Sequence, residues 1–226
     1  MTDRYARIEF PEELRKSWQE IADILAQLAG VPAALIMRYA APDIEVFVSS
    51  SSQGNPYNPG DKEELLGSGL YCEEVISSGN FLLVPDARQD KKWMNNPDIK
   101  LNMISYLGFP INYPQGEPFG TICVLDNRAN GYSETVRNLM GKFRDLIENN
   151  LGTVYLNHFL GEKNRRLADY LFELQALRGF VRMCAGCKRI QDEQGAWRPV
   201  EYYLGKNPES EITHGLCPEC VERLYP

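Results

Sequence analysis

Histidine is nearly missing from this sequence: of 226 residues only His158 and His214 are histidines. No Ser-His-Asp set can be assembled around either of them. No Gly-rich phosphate loop and no kinase or cyclase motif is present. No apolar run reaches the roughly 18 residues that a spanning helix needs, so no membrane partner is expected. The opening Met1-Thr2-Asp3-Arg4-Tyr5 mixes charges and leads into no apolar core of the signal-peptide kind. The expectation is a soluble, cytoplasmic protein. Positive charge is also short, with 24 basic against 31 acidic residues, a net charge of -7 and a pI near 5.0. Such a chain repels phosphate backbones, and no nucleic-acid partner is expected. Internal repeats and low-complexity segments are absent too.

What remains is ordinary globular composition, 43% apolar and 24% charged, enough for a packed core. The length suits one medium domain with a small appendage. Trp18, Ile21, Leu25 and Leu28 recur at spacings of three and four, predicting a helix from about Glu12 to Ala29 that Gly30 ends. Strands are expected at Ala33–Tyr39, Ile44–Val48, Phe81–Val84, Ile104–Ile111 and Thr121–Leu125. The alternation of Ile44, Val46 and Val48 with Glu45 and Phe47 reads as a half-buried strand. Short helical pieces are expected at Glu63–Leu66 and Tyr71–Ser77, and a loop at Ser49–Gly60. The order suggests an α+β fold, a central antiparallel sheet with flanking helices.

A long C-terminal helix is expected from the cap Ser133 onward. Val136, Leu139, Phe143, Leu146 and Ile147 form its first stripe, and Gly152 and Gly161 weaken its middle. Leu167, Tyr170, Leu174 and Leu177 then repeat at three, four and three. That spacing matches a two-helix seam, and equally a helix packed on its own domain.

Six cysteines in a reducing compartment are not expected to pair as disulfides. Cys72 and Cys123 are isolated and read as small apolar core residues. The other four form Cys184-Ala185-Gly186-Cys187 and Cys217-Pro218-Glu219-Cys220, separated by 29 residues. Each pair can aim two thiolates to one side of a tight turn, and two such turns make the tetrahedron zinc prefers. The expected metal ligands are therefore Cys184, Cys187, Cys217 and Cys220. The 43 residues from Cys184 bury too little apolar surface to fold unaided, and metal binding supplies folding energy. Trp197, Tyr202, Tyr203, Leu204 and Leu224 are the expected minor core. A redox dithiol and an iron–sulfur cluster use the same thiolates and remain open. His214 stands beside the second pair as a surface residue or substitute ligand. From residue 181 onward six basic residues face seven acidic ones, so this segment lacks a nucleic-acid footprint.

Further motifs lie upstream. Tyr106-Leu107-Gly108-Phe109-Pro110-Ile111, the run from Pro114 to Asp126, and Leu83-Val84-Pro85-Asp86-Ala87 together resemble a GAF domain over roughly Leu14 to Gly161. The C-terminal part, from Leu177 through Cys220, is similar to the cysteine-rich tails that follow sensor domains in bacterial signalling proteins. The resemblance implies a six-stranded antiparallel sheet with helices on one face and a ligand pocket on the other. Of the family's known ligands, a covalently attached bilin would need a Cys-His pair, and neither histidine directly follows a cysteine. No cyclic-nucleotide signature is present. The expected pocket walls are the sheet face and the Gln89–Met103 segment, with Tyr71, Trp93, Met94, Met103 and Tyr106 as candidate ligand-binding residues. The same side chains would serve as plain core.

The expected organisation is a sensor domain at 1–161, a helical linker at 162–180 and a zinc-binding module of four cysteines at 181–226. The expected function is regulatory. The sensor binds a small ligand or a signalling partner and transmits through the helix to the zinc module, within a homodimer. The alternative is an enzyme, a thiol-disulfide or GAF-fold reductase using the paired or the pocket cysteines.

Overall fold

The computed structural model describes residues 10–192, 194–201 and 211–224, with the side chains of 172–181 and 211–214 outside that description. Two compact units divide between His158 and Phe159.

The first unit opens with helix α1, Glu12–Ala29, whose buried side Trp18, Ile21, Ala22, Leu25 and Ala26 follows the sequence period. Gly30 closes it in the left-handed region (φ 64°), its N–H reaching the carbonyls of Ala26 and Gln27. Strands β1 (Ala33–Ala40) and β2 (Asp43–Ser49) follow. After them come β3 (Lys62–Glu64), helix α2 (Tyr71–Ser78) and β4 (Leu82–Val84). Two 3-10 turns, Ala87–Gln89 and Pro97–Leu101, lead to β5 (Ser105–Asn112) and β6 (Pro118–Asp126). The six strands make one antiparallel sheet in the order β3-β2-β1-β6-β5-β4. Helix α3, Glu134–Gly179, then runs for 46 residues, with the Ser133 hydroxyl capping the Val136 N–H at 3.3 Å.

The sheet is buried on both faces. On one face α1 and the start of α3 pack against Ala34, Ile36, Leu107, Ile122 and Val124. Trp18, Phe47 and Phe119 meet there edge-on with centroids 5.7 to 6.0 Å apart. The Trp18 indole donates to Asn150 Oδ1 at 3.2 Å, tying α1 to α3. On the other face Leu35, Met37, Ile44, Val46, Cys123 and Leu125 meet α2 and the two 3-10 turns.

Two expectations are corrected. Glu63–Leu66 is not helical, because Lys62–Glu64 pairs with the edge of β2 and Leu65 is buried behind it. A short polar piece carries no period, so its partner strand decides. β2 is buried along nearly its whole length rather than half-buried. Its Glu45 is tolerated inside because Arg38 and Lys62 hold it at 2.5 and 3.2 Å. The expected long helix is present, and α3 passes through Gly152 and Gly161 without a break. Two glycines cost roughly 1 kcal/mol each, less than good helix formers on either side recover. The side chains of Leu174 and Leu177, expected on the second stripe, lie outside the described residues.

The second unit contains the end of α3, then β7 (Phe180–Cys184), β8 (Ile190–Gln191), β9 (Trp197–Arg198) and β10 (Glu211–Gly215). Helix α4, Pro218–Leu224, completes it. Its sheet order is β10-β7-β8-β9, with β7 and β10 parallel.

Gly120 lies opposite Arg38 in the β1–β6 ladder. A methyl group there collides with the Met37 carbonyl. Gly120→Ala is expected to cost about 2–3 kcal/mol, read as a lower urea midpoint at unchanged slope. An unshifted midpoint would mean the two strands have more room than the packing indicates.

Candidate functional site

A cavity of about 630 Å³ opens on the sheet face away from α1. Leu35 and Met37 of β1, Ile44 and Val46 of β2 and Leu125 of β6 form an apolar floor. These are alternate residues, all projecting to one side of the pleat. Pro97, Asp98, Lys100 and Leu101 of the second 3-10 turn close one wall. Pro56, Tyr57, Asp61 and Glu63, around β3, close another.

The polar centre is Asp98. The Tyr57 hydroxyl donates to its Oδ1 at 2.7 Å, bridging the two walls. Burial pushes the Asp98 carboxyl up to about 6; the Tyr57 hydrogen bond opposes the shift and the Glu63 charge adds to it. Burial, then the Asp98 charge, raises the Tyr57 phenol far above its ordinary range. Asp98 is itself placed by its turn, since Asn96 Oδ1 accepts from the Asp98 N–H at 2.9 Å.

Two thiols also line the cavity, Cys72 of α2 and Cys123 of β6. Cys72 Sγ lies 3.3 Å from Thr121 Oγ1 and 3.6 Å from the Tyr106 hydroxyl. Thr121 and Cys123 share a face of β6, so α2 sets Cys72 over that strand. The interaction between the two neighbouring thiols lowers Cys72 and raises Cys123, while burial raises both.

Of the sequence-predicted pocket residues, Tyr106 lines the cavity. Its ring has room because residue 108 is glycine, where any Cβ would strike it. Tyr71, Trp93 and Met103 are buried in the same core layer. Tyr71 stacks on Tyr106 at 4.7 Å and meets Trp93 at 5.1 Å. Met94 is 54% exposed and stands outside this group. Asp86, in the Val84-Pro85-Asp86 motif, is structural. It caps the first 3-10 turn and holds Arg88 at 2.9 Å, which brings its carboxyl down to about 2.

In the second unit Cys184, Cys187, Cys217 and Cys220 place their sulfurs within 4.8 Å of one another. Tetrahedral coordination at about 2.3 Å needs sulfurs about 3.8 Å apart, and Cys187 and Cys217 already stand at 3.5 Å. The first knuckle turns through Lys188 (φ 64°), whose N–H returns to the Cys184 carbonyl at 2.9 Å. Gly186 leaves space for Cys220 Sγ, only 2.8 Å from where a Cβ would sit. The Cys217 N–H donates to Cys184 Sγ at 3.1 Å. Burial raises the Cys184 thiol, but N–H groups of Cys187 and Cys217 and the neighbouring thiols bring it to about 6. Burial and its neighbours push Cys220 up to about 12. A metal cation would let all four sulfurs ionise together. Four close cysteines of this geometry can hold a metal ion.

Trp197 and Leu216 pack against the sulfurs. Leu224, expected in the minor core, is 52% exposed, because α4 turns that side outward. Tyr202, Tyr203 and Leu204 lie outside the described residues, as does the side chain of His214.

A comparison with curated proteins finds no match. Among solved structures, the chain is similar to the blue-light absorbing form of the PixJ GAF-domain of Thermosynechococcus elongatus. The identity is 14%, with 70% of this chain and 94% of that one covered and a TM-score of 0.54. It is similar to the type II free methionine-R-sulfoxide reductase of Thermoplasma acidophilum, at 14% identity, 63% and 95% coverage and TM-score 0.50. It is also similar to the free methionine-R-sulfoxide reductase of Neisseria meningitidis, at 11% identity, 64% and 80% coverage and TM-score 0.52. At such identities these likenesses show the fold alone. The family description "GAF domain" matches residues 13–151, more than half of the sequence, and the chain belongs to the GAF domain family.

Proposed function

We propose that this is a regulatory protein whose GAF unit binds a small molecule in the sheet-face cavity and passes its occupancy along α3 to a zinc-holding module. The observation that carries this reading is the cavity itself. It joins an apolar floor to convergent polar groups, the usual composition of a ligand site. The path outward is covalent: α3 begins at Glu134 and ends at β7, which leads into Cys184. Zinc is the metal that suits four thiolates best, and it needs no redox chemistry to act as a staple. A signalling role in a reducing, cytoplasmic compartment accords with the free cysteines.

The partner in this reading is a second copy. Leu156, Leu160, Leu167, Tyr170 and Leu171 of α3 are each between 47% and 61% exposed. Leu156, Leu160, Leu167 and Tyr170 fall on one heptad register, which a second identical helix would cover.

A second reading rests on Cys72 and Cys123. Two adjacent cavity thiols could reduce a small sulfoxide. The thiols would lose two electrons and two protons to form a disulfide, the sulfoxide would become a sulfide, and its oxygen would leave as water. An external dithiol would then restore the pair. Two fold neighbours are named as methionine-R-sulfoxide reductases, which makes free methionine sulfoxide the substrate to test. Dithiothreitol-dependent turnover that disappears in Cys123→Ser would favour this reading over the sensor.

The purified protein should contain one zinc per chain by mass spectrometry. Chelation should add four rapidly labelled thiols to the native count. Gly186→Ala, by displacing Cys220 Sγ, should weaken zinc retention at least tenfold while the GAF unit's thermal midpoint stays put. Metal-free protein with all four thiols reactive from the start would sink the staple.

Light scattering should give twice the chain mass. The pair Leu160→Glu and Leu167→Glu should halve it, since two charges on one seam oppose association. A monomer in the unmodified protein at high concentration would remove the dimer from the proposal.

A further inference from the structure

Asp98 sits where an unpaired carboxylate is costly. It lines the cavity beside Leu101 and Pro97, facing the apolar floor of β1 and β2. Its hydrogen-bond partner is a neutral phenol, Tyr57. Among the described residues no lysine or arginine forms an ion pair with it. Lys62, on the adjacent wall, is committed to Glu45, and Arg38 is committed to the same carboxylate. Two further acids, Asp61 and Glu63, line the cavity with Asp98. Against these three acids stand two cavity lysines, Lys62 and Lys100, so the balance of charge disfavours an anionic ligand. A half-buried carboxylate with one neutral donor is completed most economically by a cation that brings its own donors.

The neighbouring rings set the rest of the ligand. Tyr106 lines the cavity and Tyr71 stacks on it at 4.7 Å. The Tyr71 hydroxyl is buried and has no hydrogen-bond partner among the described residues. A hard divalent ion is a poor occupant, because it wants six or more oxygen ligands and one carboxylate with a phenol converges here.

We propose that the cavity takes a small organic cation, an amine or amidine on an apolar or aromatic body, with the charged group paired to Asp98 and Tyr57 holding that carboxylate in place. This rests on reading the cavity as the ligand site and adds the charge class of its occupant. Tyr57 is a positioning residue in this arrangement, since it acts through Asp98.

Binding should then depend on pH. The charged groups around Asp98 are Asp61, Lys62 and Glu63 at β3 and Lys100 on its own turn. Tyr57, Tyr71, Cys72 and Cys123 are the other titratable groups that feel its charge, which favours their neutral forms. Asp98 has its midpoint near neutrality, at about 6. Its ionised form binds the cation, so affinity is full above that value and lost below it.

The test uses three compounds of one shape and different charge: benzamidine, benzamide and benzoate. Each is titrated into the full chain by calorimetry, with backbone NMR shifts locating the site. Benzamidine should bind at least tenfold tighter than benzamide and benzoate. Asp98→Asn should weaken benzamidine at least tenfold and leave benzamide unchanged, with an unaltered thermal midpoint as the fold control. Tyr57→Phe should give a smaller loss. Should Asp98→Asn fail to fold, the unmodified protein decides alone: benzamidine affinity should fall about tenfold from pH 7.5 to 5, as expected for a group titrating near 6, while benzamide stays flat. Equal binding of benzamide, preference for benzoate, or a flat pH profile would overturn the cation class and leave the cavity as a ligand site. No shift of cavity resonances with any compound would overturn the cavity reading as well.

Discussion

The GAF unit is governed by the burial of its sheet on both faces. β1 and β6 lie in the middle, so alternate residues along them must serve two different cores. On one side long helices supply a continuous apolar surface, and Trp18, Phe47 and Phe119 close the layer without a gap. On the other side the cover is α2 with short turns. Short turns bring backbone and polar side chains, which cannot fill a layer as densely as helix faces do. The cavity is the consequence. The groups at its edge, Tyr57 with Asp98 and Cys72 with Tyr106 and Thr121, are those that had to find partners inside it.

The second unit is governed by sulfur. Its strands are two to five residues long, and Trp197 and Leu216 are the apolar groups packed on the thiols. Four thiols brought within 4.8 Å are the point from which the local structure is organised. Gly186 and the left-handed Lys188 are the backbone concessions that let them converge.

A ligand in the cavity would touch β1, β2, β6 and both walls at once, and so would change the freedom of elements that pack around the same sheet. In the proposed regulatory reading, α3, which runs on from this unit toward the cysteines, would carry such a change.

Much of this was legible in the sequence. The period of Trp18, Ile21 and Leu25, the stop at Gly30, the cap at Ser133 and the spacing of the paired cysteines each encode a local geometry, and local geometry is repeated in residue order. The aromatic and methionine candidates were legible only in part. Composition marks Tyr71, Trp93, Met103 and Tyr106 as large and apolar, but a core wall and a pocket wall look alike until the packing is known. β3 was misread, and Tyr57 and Asp98 went unnoticed, because a polar residue in a loop has no period to betray it. Their meaning comes from a strand edge and a facing turn 41 residues away in sequence. Helix α1, the start of α3 and the two Cys-x-x-Cys turns were readable because each depends on neighbours within a few residues. That Asp98 lies half-buried beside Tyr57, with no ion pair among the described residues, emerged from folding, because burial and charge pairing belong to segments that folding alone brings together.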